Sequence, residues 1–190
     1  MTKGKAFIFA APSGSGKTTI VKHLLNKRPD LGFSISASTR DKRGRTEENG
    51  KDYYFLSKAD FQQKIKEDAF VEWEEVYTGN YYGTLKEEIQ RIWDEGRHVV
   101  FDVEVKGAMN LKKYFGDDTL AVFVKVPTMT ELEKRLTARG TESRESLSQR
   151  LYRAEFEMGF EDKFDVTLIN EKLEDSYANA EKLVEDFLTQ

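Results

Sequence analysis

The sequence has no cysteine, three prolines and two histidines. Without thiols there can be no disulfide, no Cys-ligated zinc, no iron–sulfur cluster and no thiol nucleophile. His23 and His98 are too few to build a histidine metal site. Long hydrophobic runs are also missing. No stretch approaches the roughly 20 apolar residues of a membrane helix. The apolar run at 6–11 is too short for a secretory leader and leads straight into a glycine loop. The expectation is a soluble, cytoplasmic protein with no membrane partner. Nor does charge of one sign dominate. With 34 acidic and 30 basic residues the net charge is −4, so no global field draws the chain to nucleic acid. What remains is 190 residues, 38% hydrophobic and 34% charged. That suits one globular domain with small inserted lobes and excludes a disordered polyelectrolyte.

Continuous apolar, β-rich runs at 5–10, 98–103 and 120–126, with a weaker one at 165–170, read as parallel strands covered on both faces. Helical patterns lie between them. Thr84-Leu85-Lys86-Glu87 and Thr128-Met129-Thr130-Glu131 have the form of capping boxes. Gly96 and Gly140 stand as stops after the helices that follow them. Leu173, Tyr177, Ala180, Val184 and Phe187 share one helical face. Strands alternating with helices predict an α/β fold with a mainly parallel sheet. Residues 33–82 break the rhythm with a polar loop (40–51), short strands at 53–56 and 70–74, and a helix at 58–68. This pattern predicts a small lobe inserted into the core.

The first strand runs into Ala11-Pro12-Ser13-Gly14-Ser15-Gly16-Lys17-Thr18, which has Walker A spacing with Ala in place of the first Gly. Small residues let backbone N–H groups wrap a polyphosphate, and the helix that follows points its positive end at the anion. Lys17 can reach the β- and γ-phosphates, and the Thr18 hydroxyl can bind Mg2+. The competing reading, a Gly/Ser turn that happens to carry a lysine, does not explain why the motif lies between an apolar strand and an amphipathic helix.

Eight of the eleven arginines fall in two short windows: Arg40, Arg43 and Arg45, then Arg135, Arg139, Arg144, Arg150 and Arg153. Lysines are scattered, and none occurs between 135 and 153. Arginine is the better choice where phosphate oxygens must be held in fixed geometry. Two clusters and one phosphate loop suggest phosphoryl transfer between two anions. The alternative is solvated helix faces paired with Glu131, Glu142 and Glu145. The strand at 98–103 ends in Asp102 and Glu104, at the end of a parallel sheet where ligands bind. Asp102 there can hold Mg2+ through water, or can merely cap the next element.

Together these segments resemble the guanylate kinases, a family of nucleoside-monophosphate kinases. The resemblance runs from Ala6 to Asn170. Its most specific parts are Ser38-Thr39-Arg40 with Arg43 and Glu47, then Gly50-Lys51-Asp52-Tyr53, Glu72-Trp73 and Gly79-Asn80-Tyr81-Tyr82-Gly83-Thr84. It continues through Asp102-Val103-Glu104-Val105-Lys106-Gly107 and Arg135…Arg139-Gly140-Thr141-Glu142. It implies a three-layer P-loop core (1–33, 85–127 and 154–190), a GMP-binding lobe (34–84) and a helical lid (128–153). Ala11 to Thr19 and Asn170 would contact ATP, with Asn170 near the adenine. Arg40, Arg43, Tyr53 and Tyr82 would hold the GMP phosphate, with Glu47 in support. Ser36, Glu72 and Thr84 would read guanine, with Asp102 and Glu104 close by. Lys17, Arg40, Arg135, Arg139 and Arg150 would act on the transferring phosphoryl group. Two departures from the family pattern stand out. Glu104 occupies a position where Asp is usual, and the loop at 43–47 is one residue longer, so that the supporting acid is either Glu47 or Glu48.

The implied reaction is ATP + GMP to ADP + GDP with Mg2+, in a monomer or homodimer. Two alternatives remain at this point: a non-catalytic protein-binding module of the same shape, and a P-loop kinase with another phosphorylated acceptor. The complete Gly16-Lys17-Thr18 argues against the first and Glu72 against the second.

Overall fold

A computed structural model describes residues 4–42, 47–138 and 144–190; for residue 77 and residues 144–146 it describes the backbone alone. The chain opens with β1 (Ala6–Ala10), α1 (Lys17–Lys27) and β2 (Leu31–Phe33). The inserted segment holds β3 (Ala37–Ser38), β4 (Tyr54–Phe55), α2 (Lys58–Lys66), β5 (Phe70–Tyr77) and β6 (Asn80–Leu85). Next come α3 (Lys86–Asp94), β7 (His98–Val103), α4 (Val105–Phe115) and β8 (Thr119–Lys125). Last are α5 (Met129–Ala138), α6 (Arg144–Met158), β9 (Val166–Ile169) and α7 (Leu173–Leu188).

The larger sheet is parallel throughout, in the order β2-β7-β1-β8-β9. The central strand β1 is buried on both faces. Phe7 and Phe9 pack under α1 and α7 with Ile20, Leu24, Ala180 and Val184. Ala6, Ile8 and Ala10 face α3 and α4 with Ile89, Ile92, Ala108 and Leu111. Two-sided burial is why β1 reads as an unbroken apolar run rather than an alternating one. The α/β class and the four core strands agree with the sequence to within a residue at each end. The edge strand β2, three residues long, gave no periodic signal to read.

The lobe carries its own sheet, β4-β3-β6-β5, and its own core of Ala37, Phe61, Phe70 and Leu85. Phe61 stacks on Phe70 at 4.4 Å. β5 and β6 form a hairpin whose turn places Gly79 at φ +76°, a left-handed conformation that favours glycine. The hairpin sets Glu72 directly opposite Thr84.

That pairing corrects one expectation. Thr84 does not open a capping box: it lies in β6, and Leu85 holds the N-cap position of α3 with no side-chain cap. The Thr84 hydroxyl instead donates to its cross-strand neighbour Glu72, at 2.7 Å. The second capping site does form, with the Glu131 N–H bonded to the Thr128 hydroxyl. β5 runs on to residue 77, beyond the expected end at 74, because β6 pairs along it. The helix α6 continues past residue 153 to Met158. Among the described residues no helix is long and apolar enough to cross a membrane.

Since Phe61 anchors a core of only four fully buried residues, Phe61→Ala should cost about 3–5 kcal/mol of lobe stability. Urea unfolding followed by hydrogen exchange should show the lobe amides losing protection before those of β1 and β7.

Candidate active site

The loop after β1 is shaped by two glycines with positive φ, Gly14 at +95° and Gly16 at +88°. A Cβ at 14 would lie 2.8 Å from Leu136 of α5, and one at 16 would lie 2.3 Å from the Asn170 amide nitrogen. Glycine is therefore required at 14 and 16 by both backbone conformation and packing. Gly16 is the N-cap of α1, so the loop's amides and the helix's positive end share one side. Ala11 and Pro12 carry the chain off β1, and the Ser15 N–H closes a turn onto the Pro12 carbonyl. Ser13 and Lys17 line the adjoining cleft. Thr18 and Thr19 sit exposed in the first turn of α1.

Asp102 joins this loop to β7. Its Oδ1 lies 2.7 Å from Lys17 Nζ, and its Oδ2 accepts from the Thr18 hydroxyl at 2.7 Å. Lys17 also donates to the Val103 carbonyl at 2.7 Å. Burial disfavours the Lys17 ammonium, but the carboxylates of Asp102 and Glu104 outweigh it and hold its pKa above the ordinary lysine value. Lys17 therefore stays a full cation beside the loop.

A cleft of about 270 Å³ opens from Lys17 toward the lobe. Of the residues expected at the site, Ser13, Ser36, Arg40, Tyr53, Glu72, Tyr82, Asp102, Glu104 and Arg150 all line it. Arg40 is fixed on both sides. Its two terminal nitrogens meet Glu47 in a bidentate pair at 2.8 Å each, and its guanidinium sits 4.7 Å over the Tyr53 ring. The Glu48 carboxylate accepts from Lys51 instead, while its backbone N–H donates to Asp52, so Glu47 is the acid that backs Arg40. Tyr53 and Tyr82 meet edge to face at 6.0 Å. Burial raises the Tyr53 pKa, keeping the phenol a donor.

At the far end Glu72 is 8% exposed. Burial pushes its pKa up to about 7, and the bond from Thr84 only partly offsets that. One carboxylate oxygen is taken by Thr84, while the other lies against Gly107, where a Cβ would come within 3.1 Å. Ser36 lies on the same wall.

Other residues are placed differently. The Asn170 side chain donates to the Ser15 carbonyl at 2.7 Å and accepts from Ser176 at 2.9 Å, so it braces the phosphate loop from behind. Arg135 pairs with Glu131 and reaches toward the Glu171 carbonyl at 3.4 Å, outside the cleft. Glu104 pairs with Arg153 at 3.1 Å. Arg43 and Arg139 lie outside the described residues. Sequence reasoning did not single out Glu157, which is buried and bonded to Arg153 at 2.8 Å. The i, i+4 spacing of Arg153 and Glu157 was the signal that could have found it.

Comparison with known proteins fits this geometry. The family model described as guanylate kinase matches residues 3–187. The chain belongs to the guanylate kinase family. The guanylate kinase of Bacteroides fragilis is 46% identical over 186 residues, covering 98% of this chain and 91% of that protein. That of Porphyromonas gingivalis is 46% identical, covering 98% and 99%. A crystal structure of guanylate kinase from Anaplasma phagocytophilum superposes with a TM-score of 0.76 at 24% identity, over 99% of this chain and 86% of that one. That likeness bears on the fold alone. Guanylate kinase membership leaves the binding-module and other-acceptor alternatives without support.

Asn170→Ala should strand the Ser15 carbonyl and the Ser176 hydroxyl, at a cost of about 1–3 kcal/mol. If Asn170 acts by bracing the loop, the variant should weaken ATP and GTP to the same degree in equilibrium titrations. A selective loss of ATP would instead mean direct contact with adenine.

Proposed function

We propose that the guanylate kinase reaction in this chain, transfer of the γ-phosphoryl group of ATP to GMP, divides among three parts: a core at 1–33, 85–127 and 154–190, a GMP lobe at 34–84 and a lid at 128–153. The observation that carries the proposal is the cleft itself, which has the phosphate-loop lysine at one end and a buried carboxylate at the other. ATP would lie along residues 11–19, its phosphates on the loop amides and on Lys17. GMP would lie in the lobe, with its phosphate between Arg40, Tyr53 and Tyr82, and Arg43 would be a further partner. Glu47 holds Arg40 in a fixed plane, so that little side-chain entropy is lost when the phosphate arrives.

Guanine presents N1–H and N2–H2 as adjacent donors. Glu72 can accept both, with Ser36 beside it and Thr84 fixing its orientation. Adenine has no such pair and would leave a buried carboxylate unsatisfied, which is how a polar site rejects an analogue. The reading extends to dGMP.

No general base is needed, since the attacking oxygen of the GMP phosphate is already anionic. The residues position the two phosphates and neutralise charge as the γ-phosphorus passes between them. Lys17 and Arg150 border that point. Arg139 from the lid, and Arg135 after a shift off Glu131, would complete the charge. The Thr18 hydroxyl and the Asp102 carboxylate, already adjoining at 2.7 Å, are hard oxygen donors that suit Mg2+ through direct and water-bridged contacts. When bound, Mg2+ supplies charge neutralisation on the phosphates.

A coupled assay over GMP, dGMP, AMP, CMP and UMP should show GMP and dGMP preferred over AMP by about 10⁴-fold or more. Glu72→Gln should erode that preference, and equal use of AMP by the unaltered enzyme would overturn the assignment of Glu72. The carboxylate also gives a pH signature. Its folded pKa of about 7 lies above its ordinary value, so the proton is held in the free enzyme below neutrality, and folding stability falls as pH rises from about 4.5 to 7. Guanine needs the ionised form. The ratio of GMP dissociation constants, Glu72→Gln over unaltered, should therefore rise about tenfold between pH 6 and pH 8. Taking the ratio cancels titration of the GMP phosphate itself.

A further inference from the structure

Between the lobe strand β5 and the lid helix α6 lies a second, narrower cleft of about 180 Å³, with Glu74 and Val76 on one wall and Phe156 and Glu157 on the other. Arg153 crosses it. Its Nε donates to Glu157 on its own helix at 2.8 Å. One terminal nitrogen donates to Glu104, the residue that ends β7 and caps α4, at 3.1 Å. The other points at the Val76 carbonyl of β5 at 3.4 Å. A guanidinium at the end of the lid segment thus touches the core, at Glu157 and Glu104, and the GMP lobe, at Val76. The first two of these contacts are normal hydrogen bonds. The third, to the lobe, is long, and it is the one that a change in lobe position alters.

One turn earlier on the same helix is Arg150, which lines the phosphate cleft. The helix is continuous from Arg144 to Met158, so a displacement at 153 is carried to 150. Glu104 sits two residues after Asp102, whose carboxylate holds Lys17 and Thr18. The contact to Glu104 therefore registers α6 against the segment that orders the phosphate loop.

We propose that Arg153 is a positioning residue that couples the two nucleotide sites: by fastening α6 to Glu104 and to the Val76 carbonyl, it makes closure of the lobe on GMP set Arg150 over the phosphates. This rests on the assignment of the lobe to GMP given above. Arginine suits this place better than lysine, because its planar fork spreads donors from Nε to both terminal nitrogens, whereas an ammonium places its three donors on one atom at the end of a flexible stem.

The test measures coupling rather than stability. Binding of a non-hydrolysable ATP analogue with Mg2+ is titrated calorimetrically with and without saturating GMP. In the unaltered enzyme GMP should tighten the analogue by about fivefold or more, the lower end of ordinary intersite coupling. Removing Arg153 alone would leave the buried Glu157 facing Glu104 without its arginine partner, so the alanine substitution is made together with Glu157→Gln. In that double variant the GMP-dependent ratio should fall toward one. In Arg153→Lys, with the charge kept and the fork lost, it should fall well below the value for the unaltered enzyme. Glu157→Gln alone should keep it. In both Arg153 variants kcat should drop by a larger factor than the KM for GMP rises. A purely structural role would weaken GMP and the analogue separately and leave their ratio intact, and that result overturns the proposal, as does a ratio near one in the unaltered enzyme. Absence of GMP-dependent turnover in the unaltered enzyme would be a different failure, overturning the assignment of the lobe and this inference with it.

Discussion

Asp102 divides its two oxygens between the Lys17 ammonium and the Thr18 hydroxyl, and the ordering of the phosphate loop follows from that division. Lys17, in a partly buried place, would otherwise be an isolated cation. The carboxylate keeps it charged and aimed until a phosphate takes over. The arrangement depends on strand register. β7 lies beside β1 with Asp102 opposite Phe9, so the carboxylate emerges one residue before the chain leaves β1 for the loop. A slip of one residue would turn Asp102 to the opposite face of the sheet.

The lobe applies the same logic with different partners. Glu72 and Thr84 face each other across a hairpin, so the hydroxyl has a carboxylate to orient and the carboxylate has a donor that holds it in an apolar surround. Arg40 likewise has Glu47 and the Tyr53 ring. In each case one polar side chain of the cleft is already held by another before any ligand binds, which limits the ordering left for binding to accomplish.

Much of this was legible in the sequence, and the parts that were not share a cause. The four core strands were visible because burial on both faces leaves an unbroken apolar run. The phosphate loop was visible because its glycines, Lys17 and Thr18 are fixed by backbone geometry. The strands β2 and β3 were not, being two or three residues long and without periodicity. Thr84 misled because the spacing Thr-x-x-Glu is local, whereas its bond is to a residue 12 positions earlier. Asn170 and Arg135 show the same limit. Their positions could be foreseen, but whether a side chain faces a ligand or another part of the protein depends on contacts such as Ser15 with Asn170 that span 155 residues. Clustering of arginines marked the segment 135–153, yet it could not separate Arg150, in the cleft, from Arg153, in its own crevice among carboxylates.

The lobe's separate core has a thermodynamic consequence of its own. Ala37, Phe61, Phe70 and Leu85 pack with one another and not with the two layers around the large sheet. A segment with private packing can open as a cooperative unit at a free energy below that of the whole chain. Val71 of β5 still ties the lobe to the layer of α4, so the free energy needed to swing it onto a ligand is partly, not wholly, separate from the free energy that keeps the central sheet folded. The molecule can be soft along one coordinate and rigid along the rest.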